Sequence, residues 1–214
     1  MKKTDWPEAI KPLINKYLGK KHPLDYQNRY QLTIAVILSA QDSDKHINEI
    51  VPAFFKAYPS MQDLATATVD DLFPLLNSVR NFGNKCKWLV NLAKTVGSDD
   101  KIPSTMEELT KLSGIGRKSA SVIIRESGGL AEGIIVDLHV VRVAPRLGIA
   151  TGDKPDKIEK QLMEILPRDV WGEIGMAISF LGREICRPTN PKCETCVMNG
   201  VCNYFNSEIK GKKR

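Results

Sequence analysis

Only one run in this chain looks like a β-strand, and that fact constrains the fold most. Gly133-Ile134-Ile135-Val136-Asp137 is short, apolar and β-branched, as a buried strand would be. A lone strand leaves its N–H and C=O groups without a ladder, and no partner run is in sight. The segment therefore reads as a buried extended connector leading into a helix from Leu138 to Leu147. Elsewhere the periodicity is helical, and the expectation is an all-α protein of about ten helices.

Residues 5–19 read as one helix, with Trp6, Ile10, Leu13 or Ile14, and Tyr17 on one side. Tyr30 to Leu38 is apolar nearly all round, the pattern of a central buried helix. The polar run Ser39-Ala40-Gln41-Asp42-Ser43-Asp44 interrupts it before a helix from about Lys45 to Ala57, ahead of Pro59. Thr68 opens a helix to about Val79, and Asn84 to Val96 forms another, ending at Gly97. Between them, Arg80-Asn81-Phe82-Gly83 reads as a loop with an exposed aromatic and amide. Helices at about 155–166 and 169–184 complete the regular structure.

The next segment is a helix–turn–helix unit. Thr105-Met106-Glu107-Glu108 reads as a capping box, with Glu108 reaching back. Met106, Leu109 and Leu112 share one face. After the turn Gly114-Ile115-Gly116, Ala120, Ile123 and Ile124 form a core stripe, with Lys118, Ser121 and Arg125 opposite. Glycines reach positive φ cheaply and leave backbone N–H groups uncovered; with a helix N-terminus behind them, they suit a phosphate oxygen. Taken alone, the unit reads first as an ordinary αα-hairpin with Lys118 in water, because short Gly-x-Gly turns are common.

Four of the five cysteines fall within seventeen residues: Cys186, Cys193, Cys196 and Cys202, spaced C-x6-C-x2-C-x5-C. The turn formers Pro188, Asn190, Pro191, Asn199 and Gly200 surround them, so metal ligation is the expected ordering agent. Structural zinc usually takes two C-x2-C knuckles, whereas a [4Fe–4S] cluster accepts four thiolates from an irregular loop. Both remain open on chemistry alone, with iron–sulfur ahead. Cys86 stands apart and reads as a small core residue.

The net charge of +6 and a pI near 9.0 suit a polyanionic partner, though a basic end, Lys210 to Arg214, supplies four of the positive charges. No stretch of about 20 apolar residues is present, so no membrane association is expected. Residues 1–7 lack an apolar signal core. A cytoplasmic, reducing setting is expected, which disfavours disulfides.

Leu112-x-Gly114-x-Gly116-Arg117-Lys118-x-Ala120, Val136-Asp137-x-His139-Val140 and C-x6-C-x2-C-x5-C, in that order, resemble the endonuclease III family. Ser39-Ala40-Gln41-x-x-Asp44 also looks like a segment of that family, the iron–sulfur branch of the helix-hairpin-helix DNA glycosylases. The resemblance spans about residues 25 to 205. It implies a two-lobed fold: a helical barrel over 23–132 carrying the hairpin, and a cluster domain from 1–22 plus 133–214. It further implies a [4Fe–4S] cluster on Cys186, Cys193, Cys196 and Cys202.

The implied activity is that of a bifunctional base-excision-repair glycosylase and abasic-site lyase. Its substrate would be oxidised pyrimidines in double-stranded DNA, and it would act as a monomer. Lys118 matches the lysine that attacks the sugar, and Asp137 the aspartate that assists departure of the base. Asp137 also reads as a plain helix N-cap. Gly114, Gly116 and Arg117 match the phosphate anchor, and His139 and Arg142 lie near the expected cleft. Gln41 matches the residue that fills the space left by a flipped nucleotide.

Two positions depart from the pattern. Asn81 stands where leucine is common in the second wedge, and Leu138 replaces a frequent threonine beside the lesion pocket. The alternatives are a glycosylase for an alkylated or oxidised purine or a mismatch, a non-catalytic DNA-binding module, and an iron–sulfur electron carrier.

Overall fold

A computed structural model describes residues 4–209, and the basic run Lys210 to Arg214 and residues 1–3 lie outside it. Every regular element among the described residues is helical. None of those helices is long and apolar enough to cross a membrane. The chain divides into two compact units, one of residues 21–129 and one combining residues up to Lys20 with those from Leu130 onward.

The first unit is built around its most apolar helix. α1 (Trp6–Ala9) and α2 (Lys11–Tyr17) belong to the other unit, so here the order starts at α3 (Arg29–Ser39). Leu32, Ile34, Ala35, Ile37 and Leu38 of α3 are each no more than 1% exposed. A helix apolar on every side must be wrapped. Of the helices that follow, α4 (Asp44–Ala57), α7 (Phe82–Val96) and α9 (Arg117–Glu126) pack against it. The short α5 (Met61–Ala65), α6 (Val69–Leu76) and α8 (Met106–Leu109) brace α7 and α9. Truncating a buried isoleucine of α3 to alanine is expected to cost about 2–5 kcal/mol.

In the second unit, α12 (Trp171–Glu184) takes the central place, flanked by α2 and α10 (Leu138–Leu147), with α11 (Pro155–Ile165) against α10. Ile134, Ile135 and Val136 are buried in a connector outside any helix, as the sequence predicts of a buried connector.

The structure corrects several local expectations. Residues 5–19 form two helices because the chain re-initiates at Ile10, with Pro12 in the first turn of α2, where its missing N–H costs nothing. Ser60 caps α5, a helix not anticipated, by accepting from the Asp63 N–H. Phe82 is the first residue of α7 and packs edge-to-face on Phe73 with ring centroids 5.4 Å apart, so it is no exposed loop aromatic. Ser121 is buried, donating its hydroxyl to the Arg117 carbonyl, rather than facing water with Lys118.

Candidate active site

The hairpin turn is held from below. Ile115 is 4% exposed and anchors it, while the Asn91 amide donates to Ser113 Oγ at 2.5 Å. Gly114 has φ +80°, and a Cβ there would come within 3.1 Å of Trp88 and 3.2 Å of Ile37. Conformation and space both require glycine. Gly116 differs: its φ is −90°, and a Cβ would meet nothing within 4 Å. Only Gly114, then, uses the positive φ that the sequence suggested for both.

Gly116 is the N-cap of α9, and no side chain caps that helix. The positive end of the helix dipole is thus not met by a side chain of its own N-cap residue. Arg117 and Lys118 occupy the first two helical positions, both exposed. The Lys118 ammonium has no hydrogen-bond or ion-pair partner among the described residues.

Asp137 is engaged on both oxygens. Oδ1 accepts from the backbone N–H groups of His139 and Val140, each at 2.9 Å, which makes it the N-cap of α10. Oδ2 accepts from the Ser179 hydroxyl at 2.6 Å, with the Arg183 guanidinium 3.9 Å away. Ser179 is fully buried on α12. It reaches Asp137 because two glycines on the same face let the backbone close in. A Cβ at Gly175 would sit 2.5 Å from the Ile135 carbonyl oxygen, and one at Gly182 2.9 Å from the His139 Cβ. Sequence reasoning missed Ser179; the signal was the small-residue spacing Gly175-x3-Ser179-x2-Gly182 on one helix face.

His139 is half-buried, its Nδ1 3.3 Å from the Arg142 guanidinium. Arg142 itself donates to the backbone oxygens of Gly182 and Cys186, so its role is to fasten α12 and the cysteine loop.

Gln41 and Asn81 lie at the tips of two loops of the first unit, both exposed and both left-handed at φ 61° and 60°. Asp42 links the loops, its carboxylate accepting from the Ser43 and Arg80 N–H groups at 2.8 and 2.9 Å. Lys85, 1% exposed, donates to the Leu38 and Ala40 carbonyls at the end of α3, each at 2.7 Å. Burial lowers its pKa.

Cys186, Cys193, Cys196 and Cys202 line one cavity whose other walls include Leu147, Leu181 and Phe205. Burial, and then the charge of neighbouring thiolates, raises the pKa values of Cys193, Cys196 and Cys202. Among the described residues no group of three or more His, Cys, Asp or Glu is placed to hold a metal ion. An all-thiol set around an apolar cavity fits a multi-iron cluster. Arg146 braces the loop, donating to the Arg187 and Pro188 carbonyls and stacking on Tyr204 at 4.7 Å. Cys86 is buried in α7, its thiol pushed up to about 11 by burial.

Comparison with known proteins adds a consistent set of relatives. Residues 34–168 match the HhH-GPD superfamily of base excision DNA repair proteins. Endonuclease III of Synechocystis sp. is 34% identical over 203 residues, covering 94% of this chain and 93% of the relative. Endonuclease III of Thermotoga maritima is 30% identical over 205 residues, covering 94% and 96%. The structure of a trapped endonuclease III–DNA covalent intermediate superposes with a TM-score of 0.84 at 29% identity, covering 97% of this chain and 96% of that one. A thermostable thymine-DNA glycosylase shares the fold, with a TM-score of 0.74 at 21% identity.

Proposed function

The chain belongs to the HhH-GPD superfamily of base excision DNA repair proteins, and from that premise we propose that it is a bifunctional DNA glycosylase and abasic-site lyase. The observation that carries the proposal is Lys118: exposed, without a hydrogen-bond or ion-pair partner among the described residues, and in the first turn of a helix whose N-cap is a glycine.

The proposed reaction runs on double-stranded DNA, with the target nucleotide turned out of the stack. A phosphate oxygen binds the amides around Gly114, Gly116 and the first turn of α9, with Arg117 beside it, and this brings the sugar to Lys118. The neutral Lys118 amine attacks C1′ as the bond from C1′ to the base breaks, and the base leaves with the electron pair and takes up a proton. The nitrogen gives up a proton, O4′ takes one up as the C1′–O4′ bond breaks, and the opened sugar is left as a Schiff base on Lys118. Loss of a C2′ proton then expels the 3′ phosphate, which nicks the strand.

Asp137 stands as the carboxylate that stabilises positive charge on the sugar. Its position is supported by the two backbone N–H groups and Ser179, which fix both oxygens. Gln41 and Asn81 are the proposed contacts with the opened duplex, and His139 a further one. Cys186, Cys193, Cys196 and Cys202 are the proposed ligands of a [4Fe–4S] cluster. When bound, the cluster supplies four iron–thiolate bonds that cross-link the loop. Oxidised pyrimidines are the proposed lesions and a monomer the proposed state.

One observation favours a second lesion class. Leu138, next to Asp137, is 70% exposed and offers an apolar surface where a hydroxyl is frequent in the family. Excision measured on a panel of oxidised pyrimidines, alkylated and oxidised purines and mismatches separates the two. A lesion-independent duplex affinity with no base release would instead support a binding module.

A further inference from the structure

Gln41 and Asn81 are separated by forty residues, yet each is an exposed, non-glycine residue in the left-handed region. Such a conformation strains a glutamine, while an asparagine tolerates it as a single residue, and neighbouring groups fix it in place. Those neighbours converge on one side chain. Asp42 Oδ1 accepts from the Ser43 N–H at 2.8 Å, two residues after the Gln41 tip, and lies 2.8 Å from His46 Nδ1. Its other oxygen accepts from the Arg80 N–H at 2.9 Å, directly before the Asn81 tip. Asp42 is 11% exposed, so these charge-assisted bonds are only lightly screened. The Asn84 amide, 2.9 Å from Asn81 Oδ1, orients the second tip.

We infer that Asp42 is a positioning residue that locks the Gln41 and Asn81 tips into one rigid surface, so that both meet an opened base pair in a fixed relation. The inference rests on the proposed role of those tips in duplex contact. With the carboxylate in place, Arg80 cannot swing without moving Ser43, and discrimination at Asn81 depends on an acid in the other loop.

The test has two arms. In the free chain, amide hydrogen exchange followed by NMR should accelerate at least tenfold at both Ser43 and Arg80 in Asp42→Ala, with the amides of α3 unchanged; Asp42→Asn, which keeps an acceptor oxygen, should fall between. Acceleration at only one of the two amides, or at neither, overturns the coupling. In the second arm, excision opposite each of the four bases is measured for wild type, Asn81→Leu, Asp42→Ala and the double variant. Asn81→Leu should change opposite-base preference, and that change should shrink to less than twofold in the Asp42→Ala background. An equal change in both backgrounds overturns the inference. Absence of excision by wild-type protein counts against the catalytic reading, while the exchange arm still decides the coupling.

Discussion

Helix α9 opens on Gly116, with no side-chain cap hydrogen bond, whereas α10 opens on Asp137, whose Oδ1 accepts from two of its backbone amides. Both helices are ten residues long, and each carries a residue proposed to do chemistry at its start: Lys118 in the first turn of α9 and Asp137 as the cap of α10. At α9 the N-cap residue offers no side chain to the positive end of the helix, and Lys118 stands beside it with no partner among the described residues. At α10 the same electrostatic feature is already filled by the protein's own carboxylate, held a second time by Ser179 from α12. An open N-terminus takes an anion from outside; a filled one fixes the orientation of the group that fills it. The contrast fits a nucleophile that must move to a sugar and a carboxylate that must stay still.

The largest effect should come from Lys118→Gln. If the open end serves a nucleophile, strand nicking falls by about 10⁴-fold or more while the unfolding temperature holds. An unchanged nicking rate would break the comparison at its first side. Asp137→Asn retains an acceptor for the cap but removes the charge, so base release should fall by about 10²–10⁴-fold with little loss of stability. Asp137→Ala should lose the cap as well, about 1 kcal/mol by denaturant titration. Equal activity in the two variants, both near wild type, would reduce Asp137 to a cap.

Within the hairpin the two glycines divide sharply. Gly114→Ala meets Trp88 and Ile37 at a φ of +80° and should cost about 1–3 kcal/mol in denaturant unfolding. Gly116→Ala meets no protein atom and should leave stability near wild type while weakening duplex binding, read by a fluorescence titration. The smallest effect belongs to Ser179→Ala, for which single-turnover base release should fall about tenfold, equivalent to 1.4 kcal/mol, with Ser179→Thr recovering part of it. Nicking of a pre-formed abasic site should change less, because the base has already gone.

Much of this was legible in the sequence, and the limits have physical causes. The all-α fold followed from periodicity and from one unpartnered apolar run, and Ile134 to Val136 are indeed a buried connector. The hairpin glycines, Asp137 as a cap and the cysteine grouping were visible because each is local. Ser179 was not, because its importance comes from Gly175 and Gly182 letting a distant connector approach. Asp42 was missed for the same reason: its partner Arg80 is 38 residues away. Phe82 was read as exposed because sequence shows an aromatic in a polar run but not the Phe73 ring it packs on.

Borohydride trapping on a duplex with a single abasic site tests the central claim most directly. Reduction converts a Schiff base into a stable secondary amine, and the covalent protein–DNA species runs as a separate band. The account predicts that wild-type protein and Asp137→Asn both form this adduct and that Lys118→Gln forms none, with peptide mapping placing the bond on Lys118. An adduct that survives in Lys118→Gln, or none with wild-type protein, would contradict it.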